Sequence, residues 1–302
     1  FHGWHDGVAA GSTSHFTGGV PAGIPPQLVA ETVLLPADDP ARVTETLKSR
    51  EDIAAVLLEP SGASAGQVPL PQGFLAALRE TTRDQDVLLI FDEVITGFRW
   101  SRGGAQARFG VTPDLTVLAK IVAGGLPGAA VAGRADVLDQ LDAGAALAAG
   151  REKVPHQGTF NANPVTAAAA VTALSIIEKQ DICGRAESAA EDIRKGMRMA
   201  LVEEGVPWGV YGEASAFHVF LNPRRLPIDP MTFDPLKLGF DGLKGARSPE
   251  KTNRLRIAMI ANGVDLNGSG GLVSAVHGEK EVARTLEGFR TAVKWLKAEG
   301  DV

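Results

Sequence analysis

Val87-Leu88-Leu89-Ile90-Phe91-Asp92-Glu93-Val94 decides how the rest of the chain is read. Five apolar residues in succession, with no polar alternation, predict a strand buried on both faces, as in a parallel sheet covered by helices. Two carboxylates follow at once. In open α/β sheets, ligands bind outside the carboxyl ends of the strands, so Asp92 and Glu93 are the first candidates for chemistry. One reading has them capping the next turn. A second has them holding Mg²⁺ on the strand of a P-loop ATPase; that needs a G-x-x-x-x-G-K-[ST] loop on an earlier strand, and none of the 302 residues forms one.

Outward from this strand, β-branched or Leu-rich runs alternate with amphipathic ones, the signature of βαβ units and a mostly parallel central sheet. The class is α/β. Val33 to Leu35, Ile53 to Leu58, Leu115 to Leu118 and Ala129 to Ala132 read as further strands. Asp39-Pro40 opens one helix and Pro71 the next, with Phe74, Leu75 and Leu78 on one face. Asn163-Pro164 repeats the cap-then-proline pattern for a long Ala-rich helix to about Lys179, and another runs from about Ala186 to Glu204. Beyond Gly205 come short strands at Trp208 to Tyr211 and Phe217 to Leu221, then a polar stretch from Asn222 to Ser248. Two helices follow, at about Pro249 to Asn262 and Glu279 to Ala298. Residues 1–204 are expected to form a large unit and 205–302 a smaller C-terminal α/β domain.

Bulk properties narrow the function. A chain of 302 residues that is 44% hydrophobic can bury a large core. Its net charge of −6, with lysines and arginines scattered, disfavours nucleic-acid binding. No apolar run reaches the ~18 residues of a membrane span. The single cysteine, Cys183, excludes an internal disulfide framework and suits a reducing cytoplasm. The sequence opens on Phe1 rather than Met, from which a missing upstream segment is expected. His2 and His5 have the spacing of a metal pair, but no second Cys/His cluster completes a site, so no metal is expected.

A third reading of the central strand makes Asp92 the partner of a cofactor's pyridinium nitrogen. A buried aspartate keeps such a nitrogen protonated and the ring able to absorb electrons. That reading requires a lysine nearby. Lys120 stands at the end of the next strand, before the turn Gly124-Gly125-Leu126-Pro127.

Here the sequence acquires a specific resemblance. The run from Phe91 to Arg99, then Gly104-Ala105-Gln106, Phe109 to Leu115, and Ala119-Lys120 with Gly124 to Pro127, resembles the class III aminotransferases, within them the glutamate-1-semialdehyde 2,1-aminomutase-like branch. Phe1-His2-Gly3, Glu59-Pro60, Gly158-Thr159-Phe160 with Asn163-Pro164, and Leu272 to His277 match in the same order. The resemblance implies the pyridoxal 5′-phosphate (PLP)-dependent transferase fold of type I and an aminotransferase. Such an enzyme moves an amino group from an amino acid or amine donor to an oxo acceptor through an imine on Lys120. Asp92 matches the ring-nitrogen partner, Val94 the residue against one ring face, and Phe1, with His2 beside it, the aromatic on the other. Glu59 matches a residue orienting the Phe1-His2 segment or the cofactor hydroxyl. Thr159 matches a threonine that reaches the phosphate of a neighbouring subunit, which implies a homodimer with shared sites.

The matches also show departures. The phosphate loop of the family lies upstream of the motif at Phe1, so part of the site is expected outside this sequence. Ser269 stands where the aminomutases carry an acid, and Ser64 where they carry an asparagine after Glu-Pro. Both favour an aminotransferase over intramolecular transfer. Ser12 and Ser64 are the candidates for touching substrate, while Arg99, Arg102 and Arg151 could hold a substrate carboxylate. A truncated or non-catalytic protein of the same fold is the competing reading from another class.

Overall fold

A computed structural model of the chain describes residues 1–302 apart from Trp4, residues 12–18, Asp38 and Ala246. Four strands form the sheet that carries Asp92: β1 (Ala55–Leu58), β2 (Leu88–Asp92), β3 (Leu115–Ala119) and β4 (Ala129–Gly133), in that spatial order. The first three are parallel. β4 runs antiparallel to β3, with Ala119 opposite Ala129 and Leu115 opposite Gly133. The physical reason is the short connection: a parallel crossover needs a dozen or more residues, and the chain turns back too soon after Lys120.

Helices supply the covering layers. Asp39 caps the helix Pro40–Ser49 by accepting from Arg42 N–H at 3.0 Å. The helix Phe74–Asp84 begins three residues later than the proline at 71 suggests, after Gly73 in the left-handed region. Val43 and Leu47 from the first helix, and Phe74, Leu75 and Leu78 from the second, pack on Leu89 and Phe91 of β2. Alternate residues of β2 thus enter one core. Val33 to Leu35, expected as a strand, pairs with no strand among the described residues; Leu35 packs against that same core, and without a neighbouring ladder no strand forms there.

Asn163 caps the helix Pro164–Lys179 through its side-chain oxygen, which accepts from Val165 and Thr166 N–H. The helix Ile182–Glu204 follows, starting four residues before the expected Ala186. Its Ala189, Ile193, Met197 and Leu201 join a second core with β5 (Gly209–Tyr211), β6 (Ala216–Phe220) and the helices Pro249–Ala261 and Glu279–Ala298. β6 is the middle strand of an antiparallel three-stranded sheet completed by β7 (Gly270–Leu272). The stretch 222–248 contains two short helical turns and lays Phe233, Leu238, Phe240 and Leu243 against Tyr211, Phe220, Ala63 and Val68. No helix among the described residues is long and apolar enough to cross a membrane.

Candidate active site

Three strand ends converge because β1, β2 and β3 are parallel and in register. Glu59 follows β1, Asp92 ends β2, and Lys120 follows β3. Asp92 is 6% exposed. One of its oxygens lies 2.6 Å from Nδ1 of His2, and the other accepts from the Val94 N–H at 3.0 Å. Burial pushes the Asp92 carboxyl up, but the His2 hydrogen bond and the Val94 amide together outweigh it and hold the group below the usual carboxylate range. A charged carboxylate is therefore fixed at the strand end.

Glu59 does a different job. Its two oxygens accept from Ser64 N–H at 2.9 Å and Ala65 N–H at 3.0 Å, capping a turn in which both residues are left-handed, with φ of 56° and 58°. Non-glycine residues rarely hold that conformation unless surrounding bonds impose it. Phe1 lies beside Glu59 and is 65% exposed. Ser64 is exposed at the crest of the turn.

Lys120 also has a left-handed backbone, at φ 55°. It is exposed rather than buried. Among the described residues it makes no hydrogen bond or ion pair. The turn after it is nonetheless pinned: a Cβ on Gly124 would sit 2.4 Å from Ala169 O, and Thr166 Oγ1 donates to Pro127 O at 3.1 Å. The helix Pro164–Lys179 thereby seats the lysine's turn.

The structure thus brings Phe1, His2, Glu59, Ser64, Asp92, Val94 and Lys120 to one edge. It does not bring Thr159 to them by any contact: that residue is exposed in the turn before Asn163. Ser12 lies outside the described residues. Of the arginines, Arg99 donates to Val273 O at 3.3 Å, just after β7, and Arg151 to Asp139 O at 2.9 Å. His5 accepts from Gly7 N–H, so the two histidines of the apparent metal pair serve separate partners.

Glu93, fully buried, faces away from the site and accepts from the following loop, as the capping reading of the two carboxylates expects. One residue escaped sequence reasoning. His218 is buried in β6, and its Nε2–H donates to Ala65 O at 3.1 Å. Burial pushes its pKa down to about 4. Tyr211 donates to Gln67 O at 2.7 Å beside it, so the C-terminal sheet clasps the Glu59-capped turn twice.

A four-stranded mixed sheet with an aspartate and a lysine at adjacent strand ends is an α/β arrangement shared with solved transaminases. The superpositions agree: an omega-transaminase from Sphaerobacter thermophilus aligns with a TM-score of 0.81 at 30% identity, over 97% of this chain and 66% of that one. A transaminase solved with PLP bound gives 0.83 at 30% identity, over 100% and 67%. Residues 1–207 match the family Aminotransferase class-III, and the chain belongs to that family. In sequence it is 36% identical over 298 residues to glutamate-1-semialdehyde 2,1-aminomutase of Methanosarcina acetivorans, covering 96% of this chain and 65% of that protein. The chain thus spans slightly less than two thirds of that relative's length.

Proposed function

We propose that this chain carries the lysine and electron-sink side of a PLP-dependent aminotransferase, acting on an amino acid or amine donor and an oxo acceptor. The observation that carries the reading is the Asp92 carboxylate, buried, held ionised and set one strand away from a lysine whose side chain has no competing partner among the described residues. The donor set fits PLP: a carboxylate for the pyridinium N–H and a primary amine for the aldehyde. When bound, PLP supplies a ring that absorbs the electron pair released at the substrate carbon.

The chain's own residues do the rest. His2 and the Val94 amide hold both oxygens of Asp92, so its charge stays aimed at one place. Val94 and Phe1 are the proposed walls on the two faces of the ring. Lys120 Nζ would hold the cofactor and, once free of it, would serve as the base that takes the proton from the substrate carbon and the acid that gives it up again. Glu59 keeps the neighbouring turn in its left-handed form, with Ser64 at its crest as a substrate contact. Thr159 is proposed to act across a homodimer. The proposed division places the cofactor unit in residues 1–204 and the smaller unit in 205–302, with the helix Ile182–Glu204 packed into the second. A cytoplasmic setting accords with the single free cysteine.

Intramolecular transfer is the second reading, since the relative named above is an aminomutase. Ser269, buried and with its carbonyl accepting from Val219 N–H, offers no acid–base group at the position where the mutases have one. Adding PLP and recording a visible band that disappears in Lys120→Ala tests the reading. A wild-type chain without such a band sinks it. Release of an oxo product from the donor then separates transamination from mutase chemistry.

A further inference from the structure

β2 delivers two carboxyls, and the site uses one. Glu93 is 0% exposed, and four donors converge on it. Thr96 Oγ1 at 2.9 Å and Ala105 N–H at 2.6 Å reach Oε2, while the backbone N–H and the side-chain Nε2 of Gln106, each at 3.1 Å, reach Oε1. A carboxyl buried this deeply persists only with such a full set of partners. The fit leaves no slack: a Cβ on Gly104, whose φ is +73°, would lie 2.3 Å from Glu93 Oε2.

The same cluster reaches the neighbouring strand. Gln106 Nε2 also donates to Thr116 Oγ1, at 3.2 Å, and Thr116 is a buried residue of β3. Glu93 N–H donates to Val117 O at 2.9 Å, and Gly97 N–H returns to Glu93 O at 2.8 Å. A Cβ on Gly97 would meet Leu118 Cδ2 at 2.5 Å. The turn leaving Asp92 is therefore tied in three places to the strand that ends in Lys120. Asp92 and Glu93 are successive residues at a strand end and point to opposite sides, so Glu93 cannot itself reach the ligand.

We propose that Glu93, extended by Gln106 to Thr116, is a positioning residue that sets the spacing between Asp92 and Lys120. The use of that spacing rests on the proposed function. A cofactor gripped by an amine at one end and a carboxylate at the other tolerates errors of only about 0.5 Å between the two, so the strand ends must be locked to each other.

Three variants of the full chain test this: Gln106→Leu, which removes the bridging amide; Thr116→Val, which removes only the last link; and Glu93→Gln, which turns one acceptor into a donor facing N–H groups. The first readout needs no cofactor. Lys120 acylation by an amine-reactive ester is followed by peptide mass spectrometry against Lys294, a surface lysine of the C-terminal unit 61% exposed at its side chain. The ratio of the two rates is expected to change by about 2- to 30-fold in Gln106→Leu, and less in Thr116→Val. A general loosening of the protein would move both lysines and leave the ratio alone. The second readout is the PLP concentration that half-saturates the Lys120-dependent band, expected to rise by about 10-fold with unchanged circular dichroism. An unchanged ratio in folded Gln106→Leu and Thr116→Val overturns the proposal, whether or not Glu93→Gln folds. A wild-type chain without a PLP band refutes the proposed function instead, while the acylation ratio still decides the positioning role.

Discussion

β4 reads Ala129-Ala130-Val131-Ala132-Gly133 and β6 reads Ala216-Phe217-His218-Val219-Phe220. Both are short, mostly apolar and antiparallel to their neighbours, yet every residue of β4 is exposed and every residue of β6 is buried. The difference lies in what surrounds them. β6 is flanked by β5 and β7 and takes part in a core closed by three helices, whereas β4 pairs with β3 on one side and with no strand on the other among the described residues. The C-terminal unit completes its own interior. The sheet that carries the site leaves the flank next to Lys120 uncovered among the described residues. An apolar pattern alone therefore does not say whether a strand is inside; the neighbours it pairs with do.

The largest effect that could break this contrast is a truncation of equal kind in each strand. Phe217→Ala should cost about 3–5 kcal/mol in a denaturant melt, because it empties a core position 4% exposed. Val131→Ala, at a site 51% exposed, should stay within about 0.5 kcal/mol. Similar losses in the two would show that β4 is buried in solution.

Next in size is the pH dependence of β6. His218 is buried neutral, with its pKa lowered from an ordinary 6.5 to about 4. Above pH 6.5 both folded and unfolded chains are neutral there and the stability is intact. As the pH falls from 6.5 to 4 only the unfolded chain takes up the proton, so about 3 kcal/mol is lost across that window. Equilibrium melts of His218→Gln should lack this slope. Asp92 acts lower on the scale: its depressed pKa contributes stability above the ordinary carboxylate value of about 4, and this is lost as the pH falls below it. A His218 variant that kept the full slope between pH 6.5 and 4 would remove β6 as its source.

Smaller effects sharpen the open flank. Asn163→Ala removes the cap of the helix that seats the Lys120 turn and should cost about 1 kcal/mol, seen as faster amide exchange at Val165 and Thr166. Smallest for folding is Val131→Lys, again within about 0.5 kcal/mol, which should weaken self-association in sedimentation at constant protein concentration. A dimer unaffected by a charge there would be assembled through another surface.

Much of the fold was legible because local chemistry and tertiary placement agree. The caps at Asp39 and Asn163, each followed by proline, open helices where the sequence puts them, and the helix Glu279–Ala298 keeps its expected bounds. The central strand was readable from its continuous apolar run, and its carboxyl end led to Asp92. Val33 to Leu35 misled because three β-branched or Leu residues look like a strand whether or not a partner lies alongside. β7, with two glycines in three residues, carried no strand signal and exists because Phe217 and His218 are there to pair with it.

The sequence by itself determined the α/β class, the family and the placing of Asp92 and Lys120 at the ends of adjacent strands, because these depend on short-range patterns and on motifs in order. Only the tertiary structure decided that Glu59 caps a left-handed turn, that Glu93 is tied through Gln106 to β3, and that Lys120 lies on an exposed flank. Each of these rests on contacts between segments far apart in the chain. Burial and hydrogen-bond partners are properties of what packs against a residue, and no local pattern encodes the neighbour.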